Sequence, residues 1–120
     1  MIYTIPGIPP SNNEYIGRTN YREYQRMKKM WAERIVLCCR PKPRSPLPHA
    51  RVVLTYYFAD RRRRDPDNYS GKMLLDGLKS AGIIEDDSFK HIELVLRCGL
   101  DKADPHVEIE VTKNERTEIR

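Results

Sequence analysis

The chain has 120 residues, 22 basic against 17 acidic, and a formal net charge of +5. That length supports one hydrophobic core and excludes two, and 39% hydrophobic with 32% charged residues describes a soluble globule with a heavily charged surface. A basic balance favours nucleic acid or an anionic surface without choosing between them. Three cysteines, two of them adjacent (Cys38 and Cys39), give neither a disulfide framework nor a zinc spacing, so the reading is reduced thiols in a cytoplasmic protein. The opening Met1-Ile2-Tyr3-Thr4-Ile5-Pro6 has no basic leader or long apolar run, so no signal peptide and no membrane span are expected.

Ile2 to Ile5 alternates apolar and polar and predicts a first strand, ended by Pro6 and Gly7. The Pro9-Pro10-Ser11-Asn12-Asn13 stretch predicts an extended segment entering a turn, where Ser and Asn side chains satisfy nearby backbone groups. From Tyr21 to Arg40 the spacing predicts a helix, with Tyr24, Met27, Trp31, Ile35 and Cys38 on its core face. Pro41 ends it, and the proline-rich residues Pro41 to Pro48 predict a stiff connector. Arg51 to Ala59 predicts a second strand, apolar on both faces and therefore inside the sheet.

A second helix is predicted from about Asp67 to Ser80, with Asp65 as N-cap, Pro66 at the first helical position, and Leu74, Leu75, Leu78 and Ala81 buried. Gly71 and Gly77 inside it cost about 1 kcal/mol each relative to alanine, which suggests either a close approach or a tolerated defect. Gly82 closes the helix. Phe89 to Cys98 predicts a third strand, with Ile92, Leu94 and Leu96 facing in, and His106 to Val111 a fourth, the two forming an antiparallel hairpin. The charged tail from Thr112 is expected to fray. The predicted fold is α+β: strand, helix, strand, helix, strand, strand, with two helices on one face of a mixed four-stranded sheet across a single domain of residues 1–120.

The chemistry concentrates in Asp60-Arg61-Arg62-Arg63-Arg64-Asp65-Pro66-Asp67-Asn68, with Glu85-Asp86-Asp87 beyond. Close carboxylates repel, so such groups are protonated, hydrogen-bonded or bridged by a cation. Mg²⁺ takes oxygen ligands, often one or two carboxylates with waters and substrate phosphates, and neighbouring arginines suit those phosphates. N-capping is the plainer reading of Asp65 and Asp67, and the arginines would then be a solvated run held by Asp60 and Asp65. In an extended segment at most two of the four arginines would face one DNA backbone together. His49, His91 and His106 are scattered and read as ordinary residues.

The run Arg61 to Asn68, then Lys72, Asp76-Gly77-Leu78 and Glu85-Asp86-Asp87, resembles the RusA family of Holliday junction resolvases. Pro9-Pro10-Ser11-Asn12-Asn13 also matches that family's N-terminal signature, so the resemblance covers nearly the whole chain. It implies a homodimeric endodeoxyribonuclease, of phage or host, that uses Mg²⁺ or Mn²⁺ and nicks a four-way DNA junction symmetrically to leave 5′-phosphate and 3′-hydroxyl ends. It puts the metal-binding carboxylates on Asp65, Asp67 and Asp87, with Asp86 the alternative to Asp87. It puts the essential lysine on Lys72 and DNA contacts on Arg61, Arg62, Arg63 and Arg64. Lys72 lies five residues after Asp67 where the family pattern has four, a shift of about 100° on an ideal helix. Two other readings stay open: a non-catalytic DNA-binding module, and a metal nuclease for flaps or RNA.

Overall fold

The computed structural model describes residues 1–14 and 21–114. Its elements are β1 (Ile2–Pro6), α1 (Tyr21–Cys38), β2 (Ala50–Phe58), α2 (Lys72–Ser80), β3 (Ile92–Leu100) and β4 (His106–Lys113), with 3₁₀ turns at Asn12–Glu14 and Pro66–Asn68. The fold is the expected two-layer α+β arrangement, a mixed sheet in the order β1-β4-β2-β3 covered by two helices. No helix among the described residues is long and apolar enough to cross a membrane.

β2 takes the inside of the sheet because it is apolar on both faces: Val52, Leu54, Tyr56 and Phe58 are buried under the helices, and Val53 is buried on the opposite face. It pairs in parallel with β3, from Ala50↔Ile92 to Phe58↔Leu100, and antiparallel with β4, from Ala50↔Lys113 to Tyr57↔His106. The expected β3–β4 hairpin is therefore not formed, since β2 lies between them. The intervening loop passes the C-terminal end of β2, where the Asp101 amide donates to the Phe58 carbonyl at 2.8 Å. β3 becomes an edge strand, which is why Leu94, expected to face in, is 37% exposed. Thr112 and Lys113, expected to fray, belong to β4, and residues 115–120 lie outside the described residues.

The core joins Tyr3 and Ile5 of β1, Trp31 and Ile35 of α1, the buried side of β2 and Met73, Leu74, Leu75 and Leu78 of α2. Tyr24, Met27 and Cys38 pack against it while partly exposed. α1 and α2 meet closely at Gly77, where an added Cβ would stand 2.7 Å from Ile35 Cγ1. Close approach, not a tolerated defect, explains this glycine.

The helix expected from Asp67 is broken in two. The Pro66–Asn68 turn is followed by Ser70 and by Gly71 at φ 85°, and α2 begins only at Lys72. Gly71 is required twice over: its φ is left-handed, and a Cβ there would collide with Leu54 Cδ1. Asp67 and Lys72 thus lie on opposite sides of a break, and no helical phase connects the two side chains.

Candidate functional site

The loop after β2 is shaped by its own side chains. Arg64 Nη1 bonds Asp60 Oδ1 at 2.9 Å, the Asp60 carbonyl at 3.1 Å and the Arg62 carbonyl at 3.0 Å. Its guanidinium lies 4.1 Å from the centre of the Phe58 ring, and its side chain is only 19% exposed. Asp60 Oδ1 also accepts the Arg62 amide at 3.0 Å. That backbone hydrogen bond first, then the Arg64 guanidinium, holds the Asp60 carboxyl below its ordinary range. Arg64 is therefore a brace, whereas Arg61, Arg62 and Arg63 are exposed on the outside of the loop.

The stretch then enters the Pro66–Asn68 turn. Asp65 occupies the N-cap position with extended φ/ψ of −99° and 139°, as the residue before a proline prefers. Its side chain makes no capping hydrogen bond; Oδ1 instead accepts Arg63 Nε at 3.2 Å. The N-cap of α2 is Gly71, so neither Asp65 nor Asp67 caps that helix, and the capping explanation for the pair lapses. Asp67 is exposed. Its backbone carbonyl accepts Asn12 Nδ2 at 2.9 Å, and the same amide donates to Ser70 Oγ at 3.1 Å. Asn12 thus ties the Pro9–Asn13 stretch to the Pro66–Asn68 turn more than fifty residues away.

Lys72 heads α2 with its side chain 55% exposed, its Nζ 3.2 Å from Asp76 Oδ1 one turn on. Asp76 is 13% exposed, and its other oxygen lies 3.5 Å from Lys28 Nζ of α1, an ion pair without hydrogen-bond geometry. Asp76 therefore sits between two ammonium groups and holds Lys72 against the helix. The i,i+4 spacing of Lys72 and Asp76 was readable in the sequence; the partnership with Lys28 needed the fold.

The acidic turn lies elsewhere. Lys79, in the last turn of α2, is 3.2 Å from Asp86 Oδ1 and 3.6 Å from Asp87 Oδ1. Asp86 also lies 3.8 Å from His91 Nδ1, just before β3. Its carboxyl is held low first by the Asp87 amide and then by Lys79, while the Lys79 ammonium is raised by Asp86 and Asp87 in turn. Asp65 and Pro66, by contrast, share a hollow with Leu96 to Leu100, at the other end of β3. At about 3.3 Å per residue the strand separates the two ends by on the order of 20 Å. Carboxylates sharing an ion both reach it at about 2–2.6 Å. Among the described residues no group of three or more His, Cys, Asp or Glu side chains could hold a metal ion.

The expected site residues thus divide. Asp65, Asp67, Lys72 and the arginine loop are grouped at the C-terminal end of β2 and the start of α2; Asp87, with Asp86, is at the far end of α2. Hard carboxylate oxygens suit Mg²⁺ chemically, but one copy of the chain does not bring the three expected ligands together. Asp60, Asp76 and Asn12 were not singled out as site residues, although each fixes a part of the site. Comparison with protein-family models and with curated proteins finds no match for this chain.

Proposed function

We propose that the chain is a divalent-metal-dependent endodeoxyribonuclease of the RusA type, acting in the cytoplasm on four-way DNA junctions as a homodimer. The observation that carries this reading is the meeting of the two separated stretches behind the resemblance, through the Asn12 bonds to Asp67 and Ser70. It is supported by a carboxylate pair with no capping duty beside an exposed run of arginines.

In this reading the exposed guanidiniums of Arg61, Arg62 and Arg63 hold junction arms through phosphates, contacts that position DNA without reading sequence. Lys72, restrained by Asp76, offers its ammonium to the charge that grows on the phosphate during cleavage. Asp65 and Asp67 provide oxygen ligands for Mg²⁺ or Mn²⁺, which supplies water activation and neutralises the leaving oxygen when bound. The acidic turn of the same copy is too distant to join them, so Asp87 completes a site only across a dimer. A two-fold interface brings Asp65 and Asp67 of one copy to the partner's Asp87 and repeats the arrangement on the other side. Two such sites match paired nicks.

A second reading, a DNA-binding module without catalysis, is favoured by the cation already beside two of the acids, Arg63 at Asp65 and Lys79 at Asp87. Purified protein is incubated with a synthetic mobile four-way junction, with and without Mg²⁺, and strands are resolved on a denaturing gel. Metal-dependent paired nicks are expected; Mg²⁺-indifferent binding without nicking selects the module, and faster cutting of flaps or RNA selects another nuclease. Asp67→Asn and Asp87→Asn proteins, each inactive alone, are expected to regain nicking when mixed and refolded together. Recovery requires that the two side chains come from different copies.

A further inference from the structure

Two hollows flank the Pro66–Asn68 turn, with Tyr56 and Tyr69 forming the wall between them. The one on the Lys72 side encloses about 450 Å³ and, of the ion-paired residues described above, is lined by Lys72 alone. That volume falls in the range of small-molecule sites, which are mostly apolar with a few convergent polar groups. Its lining includes four tyrosines, Tyr21, Tyr24, Tyr69 and the almost fully buried Tyr56, together with Asn68 and Lys72. Gly71 lines it too, and any side chain there would strike Leu54.

The lining selects for a flat ligand with apolar faces and a polar edge. Tyrosine rings stack on such faces, and the sequence-tolerant energy of that stacking is a recurrent device for unpaired bases. Asn68 has no side-chain hydrogen bond to any described residue and presents one donor and one acceptor side by side, the pattern that pairs with a base edge. An aliphatic side chain in the hollow would bury that amide unpaired, at a cost a base avoids. The arginine loop lines the neighbouring hollow, across the wall of Tyr56 and Tyr69.

We infer that this hollow receives one nucleobase, unstacked from the strand beside the cleaved phosphate, packed against the tyrosine rings and read along its edge by Asn68. The inference rests on the DNA-acting reading above and adds a base contact to it. Removing a base from the stack is easiest where pairing is already broken, as at a branch point.

The test uses full-length protein and a panel of four-way junctions, each with one tetrahydrofuran abasic nucleotide near the branch, with binding measured without Mg²⁺. One position is expected to weaken binding about tenfold, the others less than twofold. Tyr21→Ser, at a residue 71% exposed and so harmless to the fold, is expected to weaken binding of the intact junction and to erase the extra loss at that position. Asn68→Ala is expected to flatten discrimination among the four bases there. A flat abasic panel, with the intact junction bound and nicked in Mg²⁺, overturns the base site and leaves the nuclease standing. Failure to bind any junction overturns both. A Tyr21→Ser protein that loses its dimer while keeping the abasic pattern would assign the hollow to a second copy and overturn the inference.

Discussion

Gly77→Ala separates packing from propensity in the helix that carries Lys72 and Asp76. Alanine should stabilise a helix interior by about 1 kcal/mol over glycine. Here the new methyl would stand 2.7 Å from Ile35 Cγ1, 3.0 Å from its Cβ and 3.4 Å from its Cγ2. Ile35 is fully buried and β-branched, so its χ1 cannot swing away within a helix. Overpacking of this kind costs about 1–3 kcal/mol, which outweighs the propensity gain. The expected outcome is a net loss of about 1 kcal/mol, read in urea as a lower midpoint with an unchanged slope. Ile35→Ala removes the obstructing carbons at a cost of about 2–5 kcal/mol, and in that background Gly77→Ala should become neutral or stabilising. A substitution that stabilises the native sequence and the Ile35→Ala protein equally would refute the idea that the two helices are locked together at this point.

Arg64→Ala is expected to lower stability by about 1–2 kcal/mol through loss of its stacking on Phe58 and its bonds to Asp60, whereas Arg63→Ala, at a side chain 89% exposed, should stay within about 0.5 kcal/mol. Salt titrations should instead show Arg63→Ala reducing the slope of DNA binding by about 1. Lys72→Ala should slow nicking by about 10²–10³ while changing junction affinity little; equal losses would make it a binding residue only. The Cys39 thiol is pushed up to about 12 by burial and then by Cys38. Its buried neutral form therefore stabilises the fold fully below the unfolded thiol's range, and that contribution fades as pH rises towards 12. At pH 8 a thiol-specific reagent should label exposed Cys98 quickly and Cys39 only after denaturation.

The elements were legible because burial imprints its period on sequence: the Trp31 and Ile35 spacing marks a helix, and the two apolar faces of Val52 to Phe58 mark an inner strand. Period 2 says that a segment is a strand but not which strand lies beside it, and for that reason the β3–β4 hairpin was misread. The partner of β3 was set by competition for the apolar flank of β2, a long-range matter. Asp65, Asp67 and Lys72 could be read as a group because they are neighbours along the chain. The distance to Asp87 could not, because it depends on β2 and β3 running the same way. In such a crossover the turn that precedes the second strand is carried by the helix to the opposite end from the loop that follows the first. Gly71 was assigned to a helix interior because a left-handed residue between a 3₁₀ turn and a helix leaves no periodic trace.

The contacts that shape residues 60–64 run almost wholly among Asp60, Arg62 and Arg64, with Phe58 as a platform. A guanidinium-rich segment of this length would ordinarily be a floppy fringe, and docking onto a polyanion would then cost it much of its conformational freedom. Here one inward arginine and one aspartate freeze the backbone beforehand, so a partner meets a preorganised arch and the entropy of ordering has already been spent during folding.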